Sequence, residues 1–364
     1  MRPTSKVLIV GASGLVGSAA ANAFCQSGWS VVTASRRFPT WVSGDVTHVT
    51  LDLDQADAID QLVLDHPDVT HLVYTAVFEL PGLISGWSDP RQIHRNGEMF
   101  ERLLKRLLAG TQLRQVTLLQ GTKAYGGAVK PMRIPARESQ PRVEHPNFYW
   151  LQEDCLTQAA QQHGLTYTIL RPQLIVGPNQ GVVMNLPPVI GAYAALRRLE
   201  GRPFSFPGGA DWVWEAVDVR LVGDACVWAA NADAAINQTF NLTNGEVFSW
   251  RDLWPALADA LGVALGPDEP LDLVGYFETR KEAWATLAQD YALVTPSLDS
   301  LLGESHHYAN LCFAFGAEVS PPPALVSTIK IKQAGFTDTY NTEESFCHWL
   351  KVLQSRGVLP PRQN

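Results

Sequence analysis

The sequence predicts an α/β fold, a doubly wound parallel sheet with a smaller C-terminal lobe. Three observations predict it. Six short runs rich in β-branched and apolar residues recur between Lys6 and Pro172. Stretches of helical length separate them, the alternation that builds βαβ units. After Pro178 that alternation gives way to an irregular mix of aromatic and small residues, among them Trp212, Trp214, Tyr276, Phe277, Trp284, Phe313 and Phe315.

Composition bounds the rest. The 364 residues suffice for about two domains or one large α/β unit. At 46% hydrophobic and 18% charged, the chain can bury a sizeable core. Acidic residues outnumber basic ones, 36 to 28, and no basic run exists, which argues against nucleic-acid or anionic-membrane partners. Cys25, Cys155, Cys226, Cys312 and Cys347 are widely spaced with no CxxC pair. Neither a disulfide framework nor a metal site is expected, and the setting expected is the reduced cytoplasm. Met1–Lys6 is polar and Val7–Val10 is only four residues, so no targeting segment is expected. No stretch nears the ~20 apolar residues of a membrane span; Leu186–Leu196, the most apolar, carries Pro187 and Pro188.

The first strand, Lys6–Val10, runs into Gly11-Ala-Ser-Gly14-Leu-Val-Gly17 and then an Ala-rich helix to about Gln26. This GxxGxxG follows a strand and opens a helix, as in a Rossmann dinucleotide site. Glycine serves a tight turn, close approach of a pyrophosphate, and helix–strand packing. Gly11, Ser13, Gly14, Leu15 and Val16 are therefore assigned to cofactor phosphates at a helix N-terminus with free N–H groups. The second strand, Trp29–Ala34, ends in Ser35-Arg36-Arg37, where NAD-binding chains carry an acid for the ribose 2′-hydroxyl. Two solvated arginines are one reading; a 2′-phosphate site, and so NADP(H), is the one adopted. The third strand, about Val46–Leu51, precedes Asp52-Leu53-Asp54. Asp52 and Leu53 are assigned to adenine, and Asp54 to the cap of a helix over Gln55–Leu64.

The fourth strand, His71–Ala76, brings Thr75, Ala76 and Val77 alongside the cofactor. A helix follows from Pro90 to about Leu108, with Ile93, Met99, Leu103 and Leu107 as its apolar stripe. Within it, Asn96 is either an exposed polar residue or a brace for backbone near the site. The fifth strand, Gln115–Leu119, delivers Gln120 and Lys123. A Pro/Arg/Glu-rich loop over Val129–Pro146 is long enough to be functional. A helix from Asn147 to about His163 carries Tyr149, Glu153 and Asp154. The sixth strand, Thr166–Leu170, leads through Arg171 and Pro172 to Leu174 and Ile175, which are assigned to the nicotinamide with Pro172. Residues 1–178, with a return segment at about 213–245, form the dinucleotide-binding domain. Residues 179–212 and 246–364 form the substrate lobe. A helix over Asp218–Ala230 should return to the sheet domain, and the lobe should hold a capping box at Ser249–Asp252 and a terminal amphipathic helix over Asn341–Gly357.

Several segments carry a more specific signal: LQGTKAYG (119–126), NFYWLQED (147–154), LRPQLIVGP (170–178), VMNL (183–186), FNLTNGEVFSW (240–250) and the closing Gly335–Leu350. In their order and content the chain resembles the progesterone 5β-reductase/iridoid synthase-like (PRISE) family of atypical extended short-chain dehydrogenases/reductases. Ordinary members carry Ser or Thr four residues before a Tyr-Gly pair, and a YxxxK helix. Here those positions hold Gly121 and Glu153, while Lys123 stands two residues before Tyr125. Trp150, where a second tyrosine is common, and the stretch Val77–Trp87 depart from the family pattern. The resemblance implies NADPH-dependent 1,4-reduction of the activated C=C bond of a small apolar enone or enal. Tyr149 would donate to the oxygen that becomes an enolate. Lys123 would stabilise that charge or a tyrosinate and bond the cofactor ribose. Both residues are also assigned to the cofactor site. Carbonyl reduction or nucleotide-sugar epimerisation/dehydration, and a non-catalytic NADP(H) sensor, are the competing readings. Glu153 and Asp154 are read as acids complementing a helix N-terminus rather than as general bases. The adjacent His306 and His307 are not read as metal ligands. The assembly expected is a homodimer.

Overall fold

A computed structural model describes residues 5–127 and 129–362. Most of the polar Met1–Lys6 stretch, Ala128 just before the 129–146 loop, and the extreme ends of the two predicted domains lie outside the described residues. The strands are β1 (Lys6–Val10), β2 (Ser30–Ser35), β3 (Thr47–Thr50), β4 (His71–Tyr74), β5 (Gln115–Leu119), β6 (Thr166–Pro172), β7 (Leu174–Val176), β8 (Val213–Asp218), β9 (Gln238–Leu242) and β10 (Val247–Ser249). The helices are α1 (Leu15–Gln26), α2 (Ala56–Asp65), α3 (Pro90–Gly110), α4 (Phe148–His163), α5 (Leu186–Leu199), α6 (Val219–Asn231) and α7 (Trp250–Leu261). They continue with α8 (Leu273–Glu278), α9 (Lys281–Asp290), α10 (Leu298–Leu302), α11 (Ser305–Cys312), α12 (Ile329–Gln333) and α13 (Thr342–Ser355).

The main sheet runs β3-β2-β1-β4-β5-β6-β9 and is parallel throughout. Six of its strands are the expected ones. The seventh, β9, comes from the return segment and pairs with β6. Alternation along β1 explains the two faces. Val7 and Ile9 pack with α1 and α6, while Leu8 and Val10 pack with α2, α3 and α4. Chain order reverses between β1 and β4, so a crevice opens at the carboxyl ends of these strands, where doubly wound sheets bind ligands. A second sheet, β10-β8-β7, leads into a separate apolar core built from α5, α7 to α11 and α13. Trp284, Tyr276, Phe277 and Phe313 are buried in that core, whereas Phe315 is exposed.

Helix caps follow the sequence closely at Asp218, Ser249 and Asn341, each accepting from a backbone N–H two or three residues on. Asp54 departs from expectation. Gln55 holds the cap position of α2 without a side-chain bond, and Asp54 instead pairs with Arg95 and Arg102 of α3. Two cations across the gap attract the carboxylate more strongly than one helix end.

One buried carboxyl has a cost visible against pH. Glu215 on β8 accepts a single bond, from the Val326 N–H at 2.8 Å. Burial, the larger influence, pushes its pKa up to about 7 against that bond. A raised carboxyl destabilises the fold once the unfolded chain can ionise. The penalty is absent below the ordinary glutamate range, grows as pH rises through it, and levels off above about 7. Glu215→Gln keeps an acceptor for Val326 and is expected to stabilise the protein by about 1 kcal/mol at pH 8, with no gain at pH 4. Urea unfolding at the two pH values checks it; equal effects at both would contradict the account.

Candidate active site

A cleft of about 600 Å³ runs along the crevice from the β2–β3 end to the lobe. Its floor begins at Gly11. There φ is +90°, and a Cβ would lie 2.6 Å from Thr75 Oγ1 and 2.7 Å from the Ala76 nitrogen. At Gly17 a Cβ would lie 2.4 Å from the Gly11 carbonyl oxygen, so the turn and helix close tightly enough only with glycine. Gly14 caps α1 with no side-chain bond, which leaves the first N–H groups of the helix directed at the cleft. Gly11, Ser13, Gly14, Leu15 and Val16 all line it. These cradles fit a dinucleotide pyrophosphate.

Ser35, Arg36, Arg37, Asp52 and Leu53 line the far end. Both arginines are exposed, and neither forms an ion pair among the described residues. Ser35 Oγ donates to the Arg37 carbonyl at 2.7 Å, so this hydroxyl shapes the turn. Asp52 accepts from the Asp54 N–H at 3.1 Å and lines the cleft beside Leu53. Thr75, Ala76 and Val77 line the middle, with Thr75 Oγ1 donating to the Val10 carbonyl at 2.9 Å. Gln120, Pro172 and Ile175 follow. The Leu174 side chain is not among those lining the cleft, which leaves its backbone as the part that could reach a nicotinamide. On β7 the side chains alternate: Leu174 and Val176 enter the lobe core, and Ile175 faces the other way.

Tyr149 and Lys123 both line the cleft. Tyr149 sits in the first turn of α4, where the Asn147 cap accepts from its N–H at 3.1 Å and Phe148 packs edge-on. Its hydroxyl makes no hydrogen bond among the described residues. A Cβ on Gly121 would lie 3.3 Å from that oxygen, so the glycine keeps the hydroxyl clear. Burial first, and the Glu79 charge second, push the phenol pKa up, with Arg171 opposing. These influences favour the neutral phenol, and Lys123 is not among them. The Lys123 ammonium lies 3.6 Å over the Trp87 ring and 3.9 Å from Glu79 Oε1. Burial lowers its pKa, and Glu79 opposes that.

Beneath these groups lies an ionic brace that sequence reading missed. Glu153 is not a helix-terminal acid. It stands in the second turn of α4 and pairs with Arg171 at 2.6 Å, both side chains 8% exposed, and with Arg142 at 2.6 Å. Arg171 Nε also donates to Gln120 at 3.0 Å, and Gln120 Nε2 donates to the Tyr149 carbonyl at 3.4 Å. The chain from Glu153 through Arg171 and Gln120 thus fixes where Tyr149 stands. Asp154 meets Arg142 at the surface.

Asn96 resolves as a brace. It is fully buried, accepting from the Phe78 N–H and donating to its carbonyl, both at 2.8 Å. Asn179 was missed altogether. Its amide reaches the Ser13 and Gly14 carbonyls and Ser18, and Asn185 in turn holds Gly177 and Asn179. The VMNL segment was the only signal for this pair. Val182, Val183, Met184, Trp214 and Tyr308 give the lobe end an apolar wall. Of the seven aromatic residues noted after Pro178, only Trp214 reaches the cleft. Trp150 does not; it packs against His145 and Arg142. The His306 and His307 rings touch, 4.4 Å between centroids, and among the described residues no group of three or more His, Cys, Asp or Glu could hold a metal. No described helix is long and apolar enough to cross a membrane.

Comparison with known proteins adds a family to this geometry. The chain is similar to the (S)-8-oxocitronellyl enol synthase of Antirrhinum majus, 28% identical over 378 residues, covering 98% of this chain and 93% of that protein. It is similar to the 3-oxo-Delta(4,5)-steroid 5-beta-reductase of Arabidopsis thaliana, 27% identical, covering 98% and 93%. Its fold is like that of the Thermus thermophilus UDP-glucose 4-epimerase solved with NAD, with a TM-score of 0.67 at 19% identity, covering 97% of this chain and all of that one. The Thermotoga maritima UDP-glucose 4-epimerase is alike too, with a TM-score of 0.66 at 18% identity, covering 97% and 99%. Residues 7–243, the stretch holding the glycine turn, Lys123, Tyr149 and β9, match the family model directly, and the chain belongs to the NAD dependent epimerase/dehydratase family, whose cofactor is a nicotinamide dinucleotide.

Proposed function

We propose that the protein is an NADPH-dependent reductase of the activated C=C bond of a small apolar enone or enal. One observation carries this reading: a Tyr149 hydroxyl with no hydrogen bond among the described residues and the Lys123 ammonium line one dinucleotide cleft, Gly121 leaving the hydroxyl clear. The two curated relatives support it, since one name is a steroid 5-beta-reductase and the other an oxocitronellyl enol synthase. Gly121 and Glu153, standing where ordinary carbonyl reductases keep Ser and Lys, weigh against carbonyl reduction and epimerisation. A sensor would need neither Tyr149 nor Lys123.

The residues that would hold the cofactor are the glycine turn with Ser13, Leu15 and Val16 for phosphates, Asp52 and Leu53 for adenine, and Ser35, Arg36 and Arg37 for a 2′-phosphate. Thr75, Ala76, Val77, Gln120, Pro172 and Ile175 would flank the nicotinamide half. Bound there, the nicotinamide supplies a hydride to the substrate β-carbon. Negative charge then collects on the carbonyl oxygen, where Tyr149 donates its proton in a hydrogen bond and Lys123 contributes positive charge. The apolar wall of Val182, Val183 and Trp214 excludes water and so strengthens both interactions. The α-carbon can take its proton from water afterwards. Residues 1–178 with 213–245 would form the cofactor domain, and the remainder the substrate lobe. A homodimer in the cytoplasm completes the reading.

The test is direct. Purified protein, NADPH and a small cyclic enone should yield a saturated ketone with loss of nicotinamide absorbance. An allylic alcohol would favour carbonyl reduction, and no turnover with NADPH bound would favour the sensor. Arg36→Ala should weaken NADPH binding about 10–100-fold, the worth of one charge-assisted contact, and leave NADH little changed. Fluorescence titration with both cofactors reads it; equal losses would remove the 2′-phosphate assignment.

A further inference from the structure

The segment after β4 carries the site's least expected acid. Glu79 is nearly buried, with a side chain 4% exposed, and lines the cleft between Phe78 and Lys123. Gln92 of α3 donates to its Oε2, and the same Gln92 accepts from the Leu80 N–H at 2.8 Å. A Cβ on Gly86 would fall 2.3 Å from that Gln92 oxygen, so the 80–88 turn closes on the clamp. The other carboxyl oxygen, Oε1, is buried, accepts no hydrogen bond among the described residues, and faces the Lys123 ammonium at 3.9 Å. Trp87, from the same turn, presents its ring face 3.6 Å from that ammonium.

We propose that Glu79 is a positioning residue which, with the Trp87 ring, holds Lys123 in place and keeps it charged inside the cleft. This deepens the proposed reaction and rests on it for its catalytic consequence. A lysine placed in low dielectric tends to lose its proton, and a fixed carboxylate with a π face offsets that loss. The other ionisable groups around this point are Tyr149 on α4, Arg171 on β6 and Tyr308 on α11. Neither phenol is ionised at neutral pH, because burial raises both. Arg171 is neutralised by Glu153. Glu79 is thus the anion that Lys123 answers to, and the dependence is mutual: burial pushes the Glu79 carboxyl up, and Lys123 and the Gln92 bond oppose that. The arrangement has a clear chemical use: an ammonium that stayed protonated only in bulk water would be lost when an apolar substrate fills the cleft.

The test needs no substrate in its first arm. The full-length protein is acylated with acetic anhydride across pH, and modification of Lys123 is followed by mass spectrometry. Glu79→Gln, nearly isosteric and able to keep the Gln92 contact, should move the Lys123 midpoint down by about one pH unit or more. Trp87→Leu should move it the same way by less, and Glu79→Asp should restore part of the shift. NADPH titration at pH 6 checks that each variant retains the site. In the second arm, the alkaline limb of the enone-reduction profile should move down in step with the midpoint. An unmoved labelling midpoint in Glu79→Gln overturns the proposal. A moved midpoint with an unmoved kinetic limb overturns the catalytic role. If the wild-type protein reduces no enone, the proposed function fails, while the labelling arm still decides whether Glu79 sets the charge of Lys123.

Discussion

Replacing Tyr149 by phenylalanine is expected to cut turnover by about 10²–10³-fold, the cost of removing one preorganised donor from a developing oxyanion. The residues flanking it offer no replacement. Gly121 has no side chain, and the nearby Gln120 amide is engaged with Arg171 and the Tyr149 backbone. The fold should be indifferent to the change, because the hydroxyl has no partner among the described residues and the ring's packing on Phe148 survives. NADPH affinity should therefore stay near normal while kcat falls. Steady-state kinetics with a cyclic enone, beside a cofactor titration, separates the two. Unchanged kcat would mean that the charge forms elsewhere.

Glu153→Ala is expected to destabilise the protein by about 3–5 kcal/mol, the range for stranding one member of a buried ion pair. The loss is large because Arg171, 8% exposed, would keep the Gln120 oxygen and the Tyr125 ring but no anion. Arg142 suffers less, since it still has Asp154 at the surface. Glu153→Gln should fall between, as the amide oxygen can accept one of the bonds. Urea unfolding measures the difference. The Glu153 variants should also blunt activity in proportion to lost order around Gln120 and Tyr149. A stable Glu153→Ala protein would show that Arg171 finds water.

Most of the fold was legible in the sequence because its signals are local. A glycine at each critical position of the first turn, a β-branched run before it and an Ala-rich helix after it belong to one short stretch. The six strands, the helix starts at Asp218 and Asn341 and the cap at Ser249 are similarly local. β9 escaped as a strand because QTFNL is short and mixed, and only its neighbour β6 makes it one. Glu153 and Asp54 were read from helix ends, yet arginines distant in sequence claim them. Glu79 and Trp87 could be seen only as a stretch unlike its relatives. What they do depends on how the 80–88 turn folds back over Lys123, and no periodicity encodes that.

The late arrival of β9 has a consequence for how the molecule is made. β6 ends at Pro172, but its partner begins only at Gln238, with β7, α5, β8 and α6 synthesised between. Until residue 242 has left the ribosome, the sheet stops at β6, with a row of unpaired N–H and C=O groups on that side. Such an edge invites strands from other chains, and pairings that distant in sequence form slowly. The nascent chain therefore exposes an open strand edge at residues 166–172. A charged Arg171 and a Pro172 close that edge, two residue types that resist strand addition. The arginine that later braces the active site would, during synthesis, guard an unfinished sheet.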